Sequence, residues 1–226
     1  MLEILLQDRL HRAFCGKLES EVLVDIGAQT RKDTCRVLDR AAAMAAEDLA
    51  AYLNRDPALL GEAGFALVPN SPFMATLYYR LAHILWNMDG AGDHRNAAYA
   101  ISQRARADTG ADIHPGARIG RRFILDHGTN TVIGATTSIG DDCYVLNGVV
   151  LGARGISGNA DSKRHPTIGN RVQIGSFARI LGDVYVGDDA FIGPHSCVQS
   201  DVPAGGKTRS ATSSCRFDFE PSKRAS

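Results

Sequence analysis

Apolar side chains follow two different periods along this chain, and the change falls near residue 110. Between Lys32 and Leu53, Val37, Leu38, Ala41, Ala45 and Leu49 recur at spacings of three and four, and Ala42, Ala43 and Ala46 add helix propensity. That spacing predicts an amphipathic helix. Pro72 suits the first turn of a second helix, whose buried stripe would be Phe73, Leu77, Leu81, Ile84, Leu85 and Met88. A third helix is predicted over His94 to Ala107. Residues 1–110 therefore read as a helical domain.

From Asp112 onward the helical period is gone. An aliphatic residue returns at every sixth position through Ile113, Ile119 and Leu125, again through Ile133, Ile139, Val145 and Leu151, and again through Ile168, Ile174, Ile180, Val186, Ile192 and Val198. Gly follows it at Gly120, Gly134, Gly140, Gly152, Gly169, Gly175, Gly187 and Gly193, where a sharp backbone turn is expected. Small or medium residues precede it at Ala117, Thr131, Thr137, Cys143, Ala178, Ala190 and Ser196. A six-residue rung cannot bury its own side chain, so the pattern predicts a stacked parallel β-helix over residues 111–204. Hairpins would alternate with period two instead. The fold class is thus α+β, a helical domain followed by a β-helix. Two departures from the period, between Leu125 and Ile133 and between Leu151 and Ile168, are loops pushed out of the solenoid, where binding residues commonly sit. Residues 205–226, poor in large apolar groups apart from Phe217 and Phe219, read as a tail.

Charge narrows the partners. The 25 basic and 25 acidic residues cancel, leaving no excess of cations for a nucleic-acid backbone. No run approaches the roughly 18 apolar residues of a membrane span, and Met1-Leu2-Glu3 lacks the basic start of a secretory signal. A cytoplasmic protein is expected. The five cysteines (Cys15, Cys35, Cys143, Cys197, Cys215) are odd in number and scattered, which suggests free thiols.

Three motifs sit between the rungs: Asp112-Ile113-His114-Pro115, Leu125-Asp126-His127 and Arg164-His165-Pro166. Arg55-Asp56-Pro57-Ala58 and Tyr79-Arg80-Leu81-Ala82-His83 precede them. With these motifs the chain, from about Arg55 to Pro203, resembles the serine O-acetyltransferases, which make O-acetylserine from serine and acetyl-CoA in cysteine biosynthesis. The hexapeptide period alone is less specific, because it also serves sugar-nucleotide acyltransferases and zinc carbonic anhydrases. The resemblance implies a left-handed β-helix and a three-fold assembly, a homotrimer or a dimer of trimers, with sites between prisms.

Acyl transfer to a hydroxyl needs a base, because a serine hydroxyl is a poor nucleophile at neutral pH. His127 is the candidate: it begins the two-residue insertion, so its ring should face outward. If three rungs make one coil, as the family fold implies, Ile133 stacks above Ile113, and Asp112 and His127 share one prism edge. This agrees with the role the resemblance gives Asp112, holding one imidazole nitrogen. By the same resemblance Asp126 and Asp56 face the substrate ammonium, Arg164 with His165 holds its carboxylate, and acyl-CoA lies along the coils near Gly152 and Ala178. The long insertion should emerge at a different edge from His127, so Arg164 and His165 must cross a face or come from a neighbouring chain. No metal is expected, since nothing beyond the shared fold argues for three converging histidines.

Three departures from the family pattern bear on its finer implications. Gly134-Ala135-Thr136-Thr137 lacks the acid of the family's Gly-Glu-Thr-Ala run, Gly205-Gly206-Lys207-Thr208-Arg209 lacks its Gly-Val-Pro-Ala-Arg-like close, and Ser226 stands where many members end in isoleucine. Docking into cysteine synthase through the C-terminus is accordingly not expected. Two alternatives stay open: a hexapeptide acyltransferase with another small acceptor, and a non-catalytic regulatory or assembly subunit. Intact Asp112, Asp126, His127 and Arg164 argue against the second.

Overall fold

The computed structural model describes residues 31–55, 71–88, 94–155 and 162–209, and in the first helix the side chains from Arg36. Helices α1 (Arg31–Arg55), α2 (Pro72–Trp86) and α3 (His94–Thr109) fall where the periodicity predicts. The expected stripe on α2 is instead burial almost all round, Arg80 included. The cause is its position between two cores. Phe73, Leu77, Leu81 and Leu85 pack with α1 and α3, while Ala75 and Tyr79 pack into the prism beside it. Tyr79 Oη donates to Ala117 O at 2.7 Å and accepts from Ile119 N at 3.1 Å, tying α2 to the first coil.

The remainder is a left-handed parallel β-helix with three sheets. Sheet A stacks β1 (Asp112–Ile113), β4 (Val132–Ile133), β7 (Val150–Gly152), β10 (Arg179–Leu181) and β13 (Cys197–Val198). Sheet B stacks β2 (Arg118–Ile119), β5 (Ser138–Ile139), β8 (Thr167–Ile168) and β11 (Tyr185–Val186). Sheet C stacks β3 (Ile124–Leu125), β6 (Tyr144–Val145), β9 (Gln173–Ile174), β12 (Phe191–Ile192) and β14 (Lys207–Thr208). Strands this short present one residue outward and the next inward, so Ile113 lies on Ile133 and Ile133 on Leu151. Each of the thirteen sixth-position aliphatics is at most 7% exposed. The small residues before them fill the corners; Ala117, Thr131, Cys143 and Ala178 are wholly buried. The coil also runs past residue 204: Lys207–Thr208 pairs with Phe191–Ile192.

The turn expected at the glycines lies slightly further along. Gly120, Gly140, Gly169 and Gly187 do not have positive φ; at this corner the left-handed residues are Arg122, Asp142, Arg171 and Asp189, with φ of 55° to 61°. Clearance explains the glycine. A Cβ on Gly140 would stand 2.7 Å from Gly169 O in the next coil. The left-handed residues then form a column along the edge between sheets B and C. Arg122 grips Asp142 with two bonds of 2.5 and 2.6 Å, and Arg171 grips Asp189 with two of 2.7 and 2.8 Å.

Candidate active site

The long insertion leaves β7 at the edge between sheets A and B and returns to β8. Its returning end is held by Thr136, whose Oγ1 accepts from Arg164 N and His165 N, each at 3.1 Å. Lys163 Nζ donates to Thr136 O at 2.5 Å and Pro166 O at 3.2 Å. The His165 ring then lies against Gly134, where any Cβ would collide with it. Thr136 N donates to His165 Nδ1 at 3.2 Å, so in the neutral ring Nε2 carries the proton and is left as a donor.

Arg164 and His165 line a cleft of about 290 Å³ on sheet A together with Asp112, His114, Tyr99 and Arg106. His114 is fixed by Gly116 N donating to its Nδ1 at 2.9 Å and by the edge of Trp86. Burial lowers the pKa of both imidazoles. For His165 the cations Arg164 and Lys163 lower it further, whereas for His114 the Asp112 carboxylate opposes the effect. The cleft therefore holds a guanidinium, a carboxylate and two imidazoles that favour the neutral state. Asp112 itself is paired with Arg106 at 3.3 Å.

His127 stands apart. It sits at the edge between sheets C and A with φ of 58°, its ring 75% exposed. Short turns on either side, Gly128 N to Asp126 O and Thr129 N to His127 O, both 2.7 Å, fix its backbone. Asp126 is the one described carboxylate within 4 Å of the ring, with Oδ1 at 3.9 Å from Nε2. Tyr144 Oη donates to its other oxygen at 2.7 Å. Asp112 and His127 thus flank successive coils, but no ion pair joins them.

Residues 165–200 match the family model described as bacterial transferase hexapeptide (six repeats). Over 135 residues the chain is 49% identical to a serine acetyltransferase of Helicobacter pylori, covering 58% of this chain and 72% of that protein. The chain belongs to the serine acetyltransferase family. Among solved structures, the serine acetyltransferase of Neisseria gonorrhoeae superposes with a TM-score of 0.73 at 33% identity, covering 89% of this chain and 75% of that one. The soybean serine acetyltransferase complexed with serine gives 0.68 at 34% identity, covering 76% and 71%. Against the Mycobacterium tuberculosis member, 47% identical over 125 residues, the match spans 52% of the relative's length.

Within this serine acetyltransferase fold, Asp112, Arg164 and His165 come together, Asp126 and His127 form a second group, and Asp56 lies outside the described residues. Gly152 is half-buried at the base of the insertion. The Ala178 N–H donates to Gly175 O and its carbonyl accepts from Val150 N. Sequence reasoning missed Thr136, Lys163 and Tyr144. Lys163 had a signal, since it adjoins the Arg-His motif; the hydroxyls of Thr136 and Tyr144 act across the stack, about one coil away, and no local pattern marks them. Among the described residues no three His, Cys, Asp or Glu side chains converge on a metal position, and no helix is long and apolar enough to cross a membrane.

Proposed function

We propose that this protein transfers the acetyl group of acetyl-CoA to the hydroxyl of L-serine or a serine-like amino acid, with His127 as general base. The observation that carries the reading is the cleft on sheet A, where Arg164 and His165 stand together as donors for an amino-acid carboxylate with Asp112 beside them. His165, whose Nε2 carries the proton in the neutral ring, adds a neutral donor for the carboxylate, and Asp126 beside His127 adds an anion for the ammonium. In the reaction His127 removes the hydroxyl proton as the oxygen attacks the thioester carbonyl. The tetrahedral intermediate collapses with departure of the thiolate, and the imidazolium returns its proton to that sulfur. Asp112 would hold the imidazole in the productive tautomer.

His127 does not line the cleft that contains Arg164. This supports a three-fold assembly in which His127 of one chain faces Arg164 and His165 of a neighbour. Release of free thiol from acetyl-CoA, measured against a panel of hydroxy amino acids, tests the function. Serine, or one close analogue, should be preferred, and serinamide, which lacks the carboxylate, should be poor. Thiol release that no amino acid stimulates would refute the reading.

A further inference from the structure

At the edge between sheets C and A, successive coils place Asn130, Gly148, Phe177 and His195 in left-handed backbone, with φ of 58° to 67°, and His127, also left-handed, lies in the insertion three residues before Asn130. Gly148 N donates to Thr129 O, Phe177 N to Asn147 O and His195 N to Ser176 O, so these corners are stacked in one column. Glycine is the low-energy residue there, and a phenylalanine with positive φ is an outlier whose strain commonly marks a functional position. The core does not need the ring: Val149, Ala178 and Ile180 beside it are already fully buried, while Phe177 stays 39% exposed. It is nevertheless held in place. His195 stacks on it at 5.2 Å between centroids and 13° between planes. On the other side the ring covers Gly148, where a Cβ would run into it.

We propose that Phe177, backed by His195, is a ledge for the long carrier arm of the acyl thioester, a proposal that rests on the acyl-transfer reading above. Adjacent strands lie about 4.8 Å apart, so Phe177, two coils beyond His127, is roughly 10 Å along the edge, and His195 roughly 14 Å. In the opposite direction the column of corners ends one coil away, where Asn130 N donates to Gly110 O just after the end of α3. A thioester placed at His127 therefore has several further coils of this edge to follow in one direction only, and a pantetheine arm is long enough to pass the ring. Its methyl and amide groups would lie against the exposed flank of Phe177. His195 acts through Phe177 as a positioning residue.

Three donors of decreasing arm length test this: acetyl-CoA, S-acetylpantetheine and S-acetyl-N-acetylcysteamine, whose arm stops short of Phe177. Phe177→Gly, which removes the ring and relieves the backbone, should lose at least about 5-fold in kcat/KM with the first two, as expected for one lost apolar contact. It should lose nothing with the third, and its melting temperature should not fall. His195→Gly should show the same donor order with a smaller loss. An equal loss with all three donors, or no loss with any, overturns the ledge. If the wild type uses none of these donors with any amino acid, the functional reading fails, and calorimetric titration with CoA decides the ledge separately. Weaker binding by Phe177→Gly supports it; equal binding or none overturns it.

Discussion

Arg80 on α2 and Asp48 on α1 form a fork inside the protein: Nε to Oδ2 at 2.7 Å and Nη2 to Oδ1 at 3.0 Å, with side chains 1% and 0% exposed. Neither charge is spent on the partner alone. Arg80 also donates to Ile119 O at 2.7 Å and Gly120 O at 2.5 Å, and Asp48 Oδ1 accepts from Phe123 N at 2.8 Å. The pair therefore fastens both helices to the open corner of the first coil.

Removing one member leaves the other charge buried, so Asp48→Ala or Arg80→Ala should cost about 3–5 kcal/mol. The double change Asp48→Leu with Arg80→Met should cost much less than the sum of the single changes. Chemical denaturation of the three variants checks this. Additive losses would mean that the fork is not a coupled unit.

His127→Ala should lower kcat by at least ~10²-fold, the low end for a positioned general base. The circular dichroism spectrum should not change, because the ring is 75% exposed and outside the core. Near-normal turnover would remove His127 from the mechanism.

Arg164→Lys should raise KM for the amino acid far more than for acetyl-CoA, because the charge remains but the two-pronged contact is lost. Equal changes in both constants would count against Arg164 as the carboxylate clamp.

Folding stability should decline on acidification through the His114 and His165 pair. Burial lowers both pKa values in the folded state from the ordinary 6.5. The unfolded chain thus binds protons first as pH falls. Their contribution is fully present above about 6.5 and is lost as pH drops toward the folded values. Thermal melts from pH 7.5 to 5 should show this slope, and His114→Gln with His165→Gln should flatten it. An unchanged slope would assign it to other groups.

Mixing inactive His127→Ala and Arg164→Ala chains, after dissociation and reassembly, should restore part of the activity if the site is shared between chains. Mixed oligomers as inactive as either parent would place the whole site in one chain.

Much of this architecture was legible because it repeats. One aliphatic per six residues specifies one inward position per strand, and Ile113, Ile133 and Leu151 meet as the period requires. The motif residues stood out as candidates, but their company did not. The stacking of Asp112 on Val132, in the coil that follows His127, comes from rung counting, whereas the Asp112–Arg106 pair depends on how α3 lies over sheet A. Burial of α2 on nearly all sides was hidden because the face it turns to the prism carries Tyr79 and Arg80, polar residues outside the apolar stripe whose backbone and carboxylate partners come from other elements.

The column Arg122, Asp142, Arg171 and Asp189 has a consequence for how the coils find their order. Aliphatic rungs are interchangeable, so a chain that skipped a coil would still bury its side chains. The edge column is not interchangeable, because its signs alternate. Leaving out the second coil would set Arg122 against Arg171, and leaving out the third would set Asp142 against Asp189. The sequence thus carries a parity check on a solenoid whose hydrophobic code is the same at every step.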